Sequence, residues 1–82
     1  MKKIQGLAQA FGKVIADIRS SKKISQEQLA ESIDATNVYI SLLETGQRQP
    51  SLNATLLIAE TLDIKPEELI TAVCKLLHEH TQ

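Results

Sequence analysis

The chain has 82 residues, is 43% apolar and 23% charged, and sets nine Lys/Arg against ten Asp/Glu for a net charge of -1. That length fits one domain, near the lower size limit for a self-sufficient hydrophobic core, and the near-neutral balance excludes a polybasic coater of nucleic acid. A single cysteine, Cys74, excludes an intrachain disulfide framework and a Cys-based zinc pattern, and no apolar run approaches the roughly eighteen residues that mark a membrane span.

The opening MKKIQGLAQAF interleaves basic, polar and apolar residues instead of building the apolar stretch of a secretory signal. The expected compartment is therefore the cytoplasm, and Lys2 and Lys3 read as a solvated, solubilising end. Leu7, Phe11, Val14, Ile15 and Ile18 then recur at the three-and-four spacing of one helical face, predicting a first helix over Leu7 to Ser20. Lys22 and Lys23 form a polar junction. Ser25 with Gln28 three residues later is a reciprocal capping pair, and it opens a second helix whose inner side is Leu29, Ala30 and Ile33.

Asp34, Ala35 and Thr36 interrupt the pattern, and Thr36 is the N-cap expected for a third helix, NVYISLLE, with Ile40 and Leu43 turned inward. Gly46 supplies the left-handed residue that ends it. After the loop QRQP, Ser51 caps a fourth helix through LNATLLIAETL. Pro66 sits at the first turn of a fifth, which runs through LITAVCKLL with Glu67 and Glu68 at its positive end and frays in HEHTQ. Five short helices with connections of a few residues and no strand-like alternation predict an all-α orthogonal bundle, one domain spanning residues 1–82.

The break after Ile33 gives that bundle a possible use. Two helices joined by a short turn cross closely where a small side chain such as Ala30 lies between them, and the second is then left as a ridge of the width of the B-DNA major groove. If Ile40 and Leu43 point inward, the outer side offers Asn37 for an adenine edge, Ser41 as donor or acceptor, and Val38 and Leu42 for a thymine methyl. Gln26, Thr36, Tyr39 and Arg48 are candidates for phosphate contact, with Lys22 and Lys23 as less constrained ones. The charge distribution agrees, since residues 1–50 hold seven Lys/Arg against five Asp/Glu and residues 51–82 hold two against five. Periodicity alone fits equally well a helical hairpin packed in a bundle with no role in binding DNA.

Gln26-Glu27-Gln28-Leu29-Ala30, the run Tyr39 to Glu44, Gly46 and Pro50-Ser51-Leu52 resemble the helix-turn-helix family of lambda-type phage repressors and Cro, the XRE family, over roughly residues 9–70. The resemblance implies a compact five-helix, lambda-repressor-like domain that binds double-stranded DNA sequence-specifically, usually as a homodimer on an inverted repeat, and regulates transcription by blocking a promoter or touching RNA polymerase. It places Gln26 at the phosphate- and base-bonding front of the second helix and Asn37, Val38 and Leu42 at base-contacting positions. Tyr39 and Ser41 fall at flanking positions that more often meet the DNA backbone. Arg19 and Glu44 match a charge pair that braces the first helix against the third. Small restriction–modification controller proteins share this economy of length, as do stand-alone phage or plasmid repressors and antitoxins.

Two positions depart from the family pattern: Asp34 stands where glycine is common in the turn, and in the fourth helix Thr55 replaces a usual leucine while Leu57 replaces a usual charge. The second change predicts either a shifted helix register or an apolar patch for subunit contact. Leu69, Ile70, Val73, Leu76 and Leu77 give the fifth helix an apolar face wider than one small core needs, and they are the expected dimer contact. Cys74 and His78 are four apart on that helix but make only part of a zinc site, with His80 on another side. No cofactor, metal or enzymatic role is expected. The alternative function is a protein-interaction module, such as an antagonist that heterodimerises with a related repressor and no longer grips DNA.

Overall fold

A computed structural model of the chain describes residues 1–80. Among these residues there are five helices and no strand: α1 (Leu7–Ser21), α2 (Gln26–Ser32), α3 (Asn37–Glu44), α4 (Leu52–Thr61) and α5 (Pro66–His80). The expected fraying at the C-terminus concerns in part Thr81 and Gln82, which lie outside the described residues.

Three of the helix starts are fixed by side chains that the sequence places there. Ser25 accepts a bond from the Gln28 amide at 3.0 Å while the Gln28 side chain accepts one from the Ser25 amide at 2.8 Å, the reciprocal capping pair. The Thr36 hydroxyl accepts from the Tyr39 amide at 3.0 Å, and Ser51 does the same for Ala54. Substituting such a cap by alanine costs typically about 1 kcal/mol.

The helix ends obey one rule. At the close of α1, α2, α3 and α4 the residue after the C-cap takes a positive φ, and its own amide and the next one reach back to free carbonyls, the Schellman arrangement. Gly46, with φ 75°, fills that position after α3, where Gln47 donates to the Leu42 carbonyl at 2.9 Å. Lys23, Asp34 and Asp63 fill it elsewhere, with φ of 59°, 56° and 56°.

Within this frame α1 packs on α3 and α5, α2 on α3 and α4, and α4 on α5. The seven large side chains sealed from solvent are Ile15, Leu29, Ile40, Leu43, Ile58, Leu62 and Leu69, so every helix contributes to one core. Removing each from water is worth roughly 1.5–3 kcal/mol before entropy is counted. Gly12 is what allows α1 to lie so close to α3. A Cβ built at Gly12 would collide with the Leu43 carbonyl oxygen and sit 2.7 Å from that of Glu44.

The fourth helix keeps its register. Ala54, Thr55, Ile58, Ala59 and Leu62 face inward at regular helical spacing, and the buried Thr55 hydroxyl donates to the Ser51 carbonyl at 2.9 Å, which removes the cost of placing it there. Of the two consequences expected from Thr55 and Leu57, a shifted register or an apolar patch for subunit contact, the first is not seen: the threonine is satisfied locally and Leu57 is half-buried.

Candidate nucleic-acid interface

The α2–α3 unit is held from beneath by Leu29, Ala30, Ile40 and Leu43, all buried. Asp34 makes the turn between the two helices with its left-handed backbone, and Ala35 donates to the Ala30 carbonyl at 2.8 Å. With Ile40 and Leu43 fixed inward, the other side of α3 is carried to the surface. Asn37 is exposed, and Val38 retains 67% of its surface, a high value for an aliphatic side chain with nothing over it. Ser41 and Leu42 are half-buried on the flank of the same helix.

A buried polar brace aims this helix. Arg19 on α1 donates from Nε to Glu44 Oε2 at 2.7 Å and from Nη2 to Glu44 Oε1 at 3.1 Å, a two-pronged pair at the C-terminal end of α3. Its third prong, Nη1, donates to the Ile24 carbonyl at 2.7 Å, which ties in the α1–α2 connection. Only 15% of the Arg19 side chain and 7% of the Glu44 side chain remain exposed. The hydrogen bond to Glu44 raises the Arg19 pKa above its ordinary value; burial works in the opposite direction and is outweighed.

Gln26 joins the same brace, donating from Nε2 to Glu44 Oε1 at 2.8 Å. This bond fixes the amide plane and consumes one of its two N–H groups, leaving the second for an acceptor outside the protein. Thr36 is similar in kind: its oxygen is occupied as the N-cap acceptor, and its O–H remains a donor. Tyr39 is half-buried against the core, and the Arg48 guanidinium lies 5.9 Å over its ring, so the loop after α3 is folded back on the helix it follows.

The structure separates one of the cationic candidates, Lys22, from this group. The Lys22 ammonium lies 3.4 Å from the Asp63 carbonyl, in a concavity shared with Leu56 and Glu60 at the α4–α5 corner, apart from the one that Arg48 lines. Lys23 has the left-handed backbone that ends α1, and its side chain is exposed. The expectation for α5 also needs correction. Leu69 and Val73 are buried in the chain's own core, because that face of α5 packs on α1 and α4. Ile70 is 47% exposed, and Leu76 and Leu77 are half-buried.

Three features escaped sequence reasoning: the close approach at Gly12, the bond from Gln26 to Glu44, and the grip of Arg19 on the Ile24 carbonyl. A lone glycine in the interior of an amphipathic helix was the available signal for the first, since it costs the helix stability unless something lies against it. The other two depend on side-chain direction, which spacing does not encode.

Comparison with known proteins gives one consistent answer. The Helix-turn-helix family model matches residues 15–69. Control protein C.BamHI of Bacillus amyloliquefaciens is 39% identical over 61 residues, which cover 73% of this chain and 75% of that protein. Among solved structures, the restriction–modification controller protein C.AhdI from Aeromonas hydrophila superimposes with a TM-score of 0.73 at 39% identity, covering 76% of this chain and 94% of that one. A mutant of the restriction–modification controller protein C.Esp1396I gives a TM-score of 0.82 at 26% identity over 90% of this chain and 96% of its own. These relatives are named as control or controller proteins, and no helix among the described residues is long and apolar enough to cross a membrane.

Proposed function

Because the chain belongs to the helix-turn-helix family of DNA-binding transcriptional regulators, of the controller-protein type, we propose that it binds an inverted-repeat operator as a homodimer and sets transcription in the manner of restriction–modification controllers. The observation that carries this reading is the exposure of Asn37 and Val38 on a helix whose other side is locked by Leu43 and by the Arg19–Glu44 brace. Such a helix meets a groove without having to be ordered first, so little of the contact energy is lost to conformational entropy.

In this reading Asn37 pairs with a base edge, Val38 and Leu42 pack on thymine methyls, and Ser41 bonds at their flank. Gln26, Thr36, Tyr39 and Arg48 bond phosphates and so fix the register of the helix in the groove. Lys22 and Lys23 add charge at longer range only. The apolar surface for the second copy is that of Leu52, Leu56 and Ile70, three large side chains left exposed on α4 and α5, with the half-buried Leu76 and Leu77 farther along α5. Two copies related by a two-fold axis would set their α3 helices about 34 Å apart, one turn of DNA.

Regulation then follows concentration, because pairing of subunits makes occupancy of the operator a steep function of the protein present. The test is a selection of bound fragments from random duplex DNA with the purified protein. Recovery of an inverted repeat with half-sites one helical turn apart is expected. Failure to retain any duplex, with a tight protein partner captured instead, would replace this reading with that of an interaction module.

A further inference from the structure

We propose that Lys3 and Arg48 form a second grip on the DNA backbone, a phosphate notch between the N-terminal segment and the loop that leaves the recognition helix. The notch is a concavity of about 400 Å³ lined by Lys3, Ala8, Gly46, Gln47, Arg48 and Gln49. Its lining contains two cations, two amides and no acidic side chain. Two of its lining residues, Gly46 and Ala8, are small.

Its position relative to α3 is fixed from both sides. Gly46 lies against the start of α1, where a Cβ on Gly46 would come within 2.9 Å of the Gln9 Cα, and this pins the loop to the helix that Lys3 precedes. On the other side the Arg48 guanidinium lies 5.9 Å over the ring of Tyr39 on α3, which ties the loop to the recognition helix. Lys3, Arg48 and Tyr39 are thereby continuous along one surface. The Gln47 amide, which lines the concavity, is held by its bond to the Thr45 hydroxyl at 2.8 Å and keeps a second N–H.

A phosphodiester is the occupant favoured by this chemistry: a diffuse anion with several acceptor oxygens, delivered beside α3 by the same duplex that α3 reads. The inference rests on the DNA-binding reading above. It also assigns a role to the N-terminal lysine pair, of which Lys3 lines the notch and Lys2 does not.

The experiment measures the affinity of the full chain for a duplex recovered by selection, across a salt series. A protein that neutralises one phosphate fewer loses roughly 0.9 from the slope of log K against log salt, which makes its affinity about 3.5-fold less sensitive to a fourfold rise in salt. Lys3→Ala is expected to show that reduction with base preference unchanged, and Lys3→Ala combined with Arg48→Ala about twice it. Lys75→Ala, which removes the same charge from the surface of α5, is expected to leave the slope alone. Lys3 is exposed and outside every helix, so its replacement leaves the melting temperature unchanged. A Lys3→Ala slope equal to that of Lys75→Ala would overturn the notch while DNA binding stands. If the unaltered chain retains no duplex at all, the underlying reading fails first and the notch falls with it.

Discussion

Lys23, Asp34 and Asp63 each hold a left-handed backbone that glycine would adopt freely, and in each case the purpose is the same: to reverse the chain at a helix end within two residues. The penalty for a side chain in that region is about 1 kcal/mol. Lys23→Gly should therefore stabilise the chain by about 0.5–1 kcal/mol, a rise of several degrees in melting temperature for a domain of this size, measured by thermal denaturation. No change, or a loss, would mean that the Lys23 side chain makes a compensating contact. Asn37 and Arg48 differ at the same scale but in kind. A bidentate pair between Asn37 and an adenine discriminates by roughly 1–3 kcal/mol at one base pair, so Asn37→Ala should relax preference there and nowhere else. Arg48→Ala should weaken every sequence alike and lower the salt slope by about 1, which binding to a panel of single-base operator variants would separate.

The elements were legible in the sequence where chemistry is local. Ser25, Thr36 and Ser51 marked three helix starts and Gly46 one end, because a cap is made of bonds between residues at most five apart. The α3 boundaries followed from them without adjustment. What was hidden is the placement of one element on another. Leu69 and Val73 fit an apolar stripe on α5 equally well whether it faces its own core or a second copy, and only the packing of α5 on α1 and α4 decides. Gly12 is the clearest example of this scale. Gly12→Ala adds one methyl against two carbonyls of α3 that cannot move independently, and overpacking of that kind costs about 1–3 kcal/mol even before the crossing shifts. Loss of operator affinity larger than the loss of folded population is expected, since the strain re-aims α3. The brace offers the complementary measurement: Glu44→Ala strands a mostly buried guanidinium and frees Gln26, and should lower stability by about 3 kcal/mol. The sign of its pH dependence follows from the raised Arg19 pKa. The contribution is fully present below the ordinary arginine value and is lost only as pH rises through the raised one, so the brace holds throughout the neutral and mildly alkaline range.

At the scale of the whole molecule, exposed apolar surface and size point in one direction. A chain of 82 residues buries a smaller share of its surface than a larger domain does, and this one still leaves Leu52 at 76%, Leu56 at 46% and Ile70 at 47% exposed on α4 and α5. Leu52 and Ile70 line one groove with Leu7, Phe11, Pro50, Thr55 and Val73, so its walls are already apolar before anything enters it. If a second copy covers that groove, a charge at its exposed rim should abolish pairing without unfolding the protomer, because Leu52 and Ile70, unlike Phe11 and Val73, are not part of the buried core. Ile70→Glu is therefore expected to sediment as a monomer with an unchanged helical spectrum. It should bind a single half-site about as well as the parent's own monomer does, and lose the advantage of the inverted repeat, which comes from making the second contact intramolecular and amounts to some 10²–10⁴ in affinity. Leu69→Ala provides the contrast: it opens a cavity in the protomer and should cost about 2–5 kcal/mol of stability whatever the state of assembly. A dimeric Ile70→Glu protein, together with a monomeric Leu76→Glu or Leu77→Glu one, would move the contact from the α4–α5 groove to the far end of α5, where those two leucines line a separate cleft with Gln5, Gly6 and Gln9. The geometry of the two outcomes differs enough to be read on DNA as well, because the distance between the paired α3 helices, and with it the spacing of the half-sites, is set by which of these surfaces meets its copy.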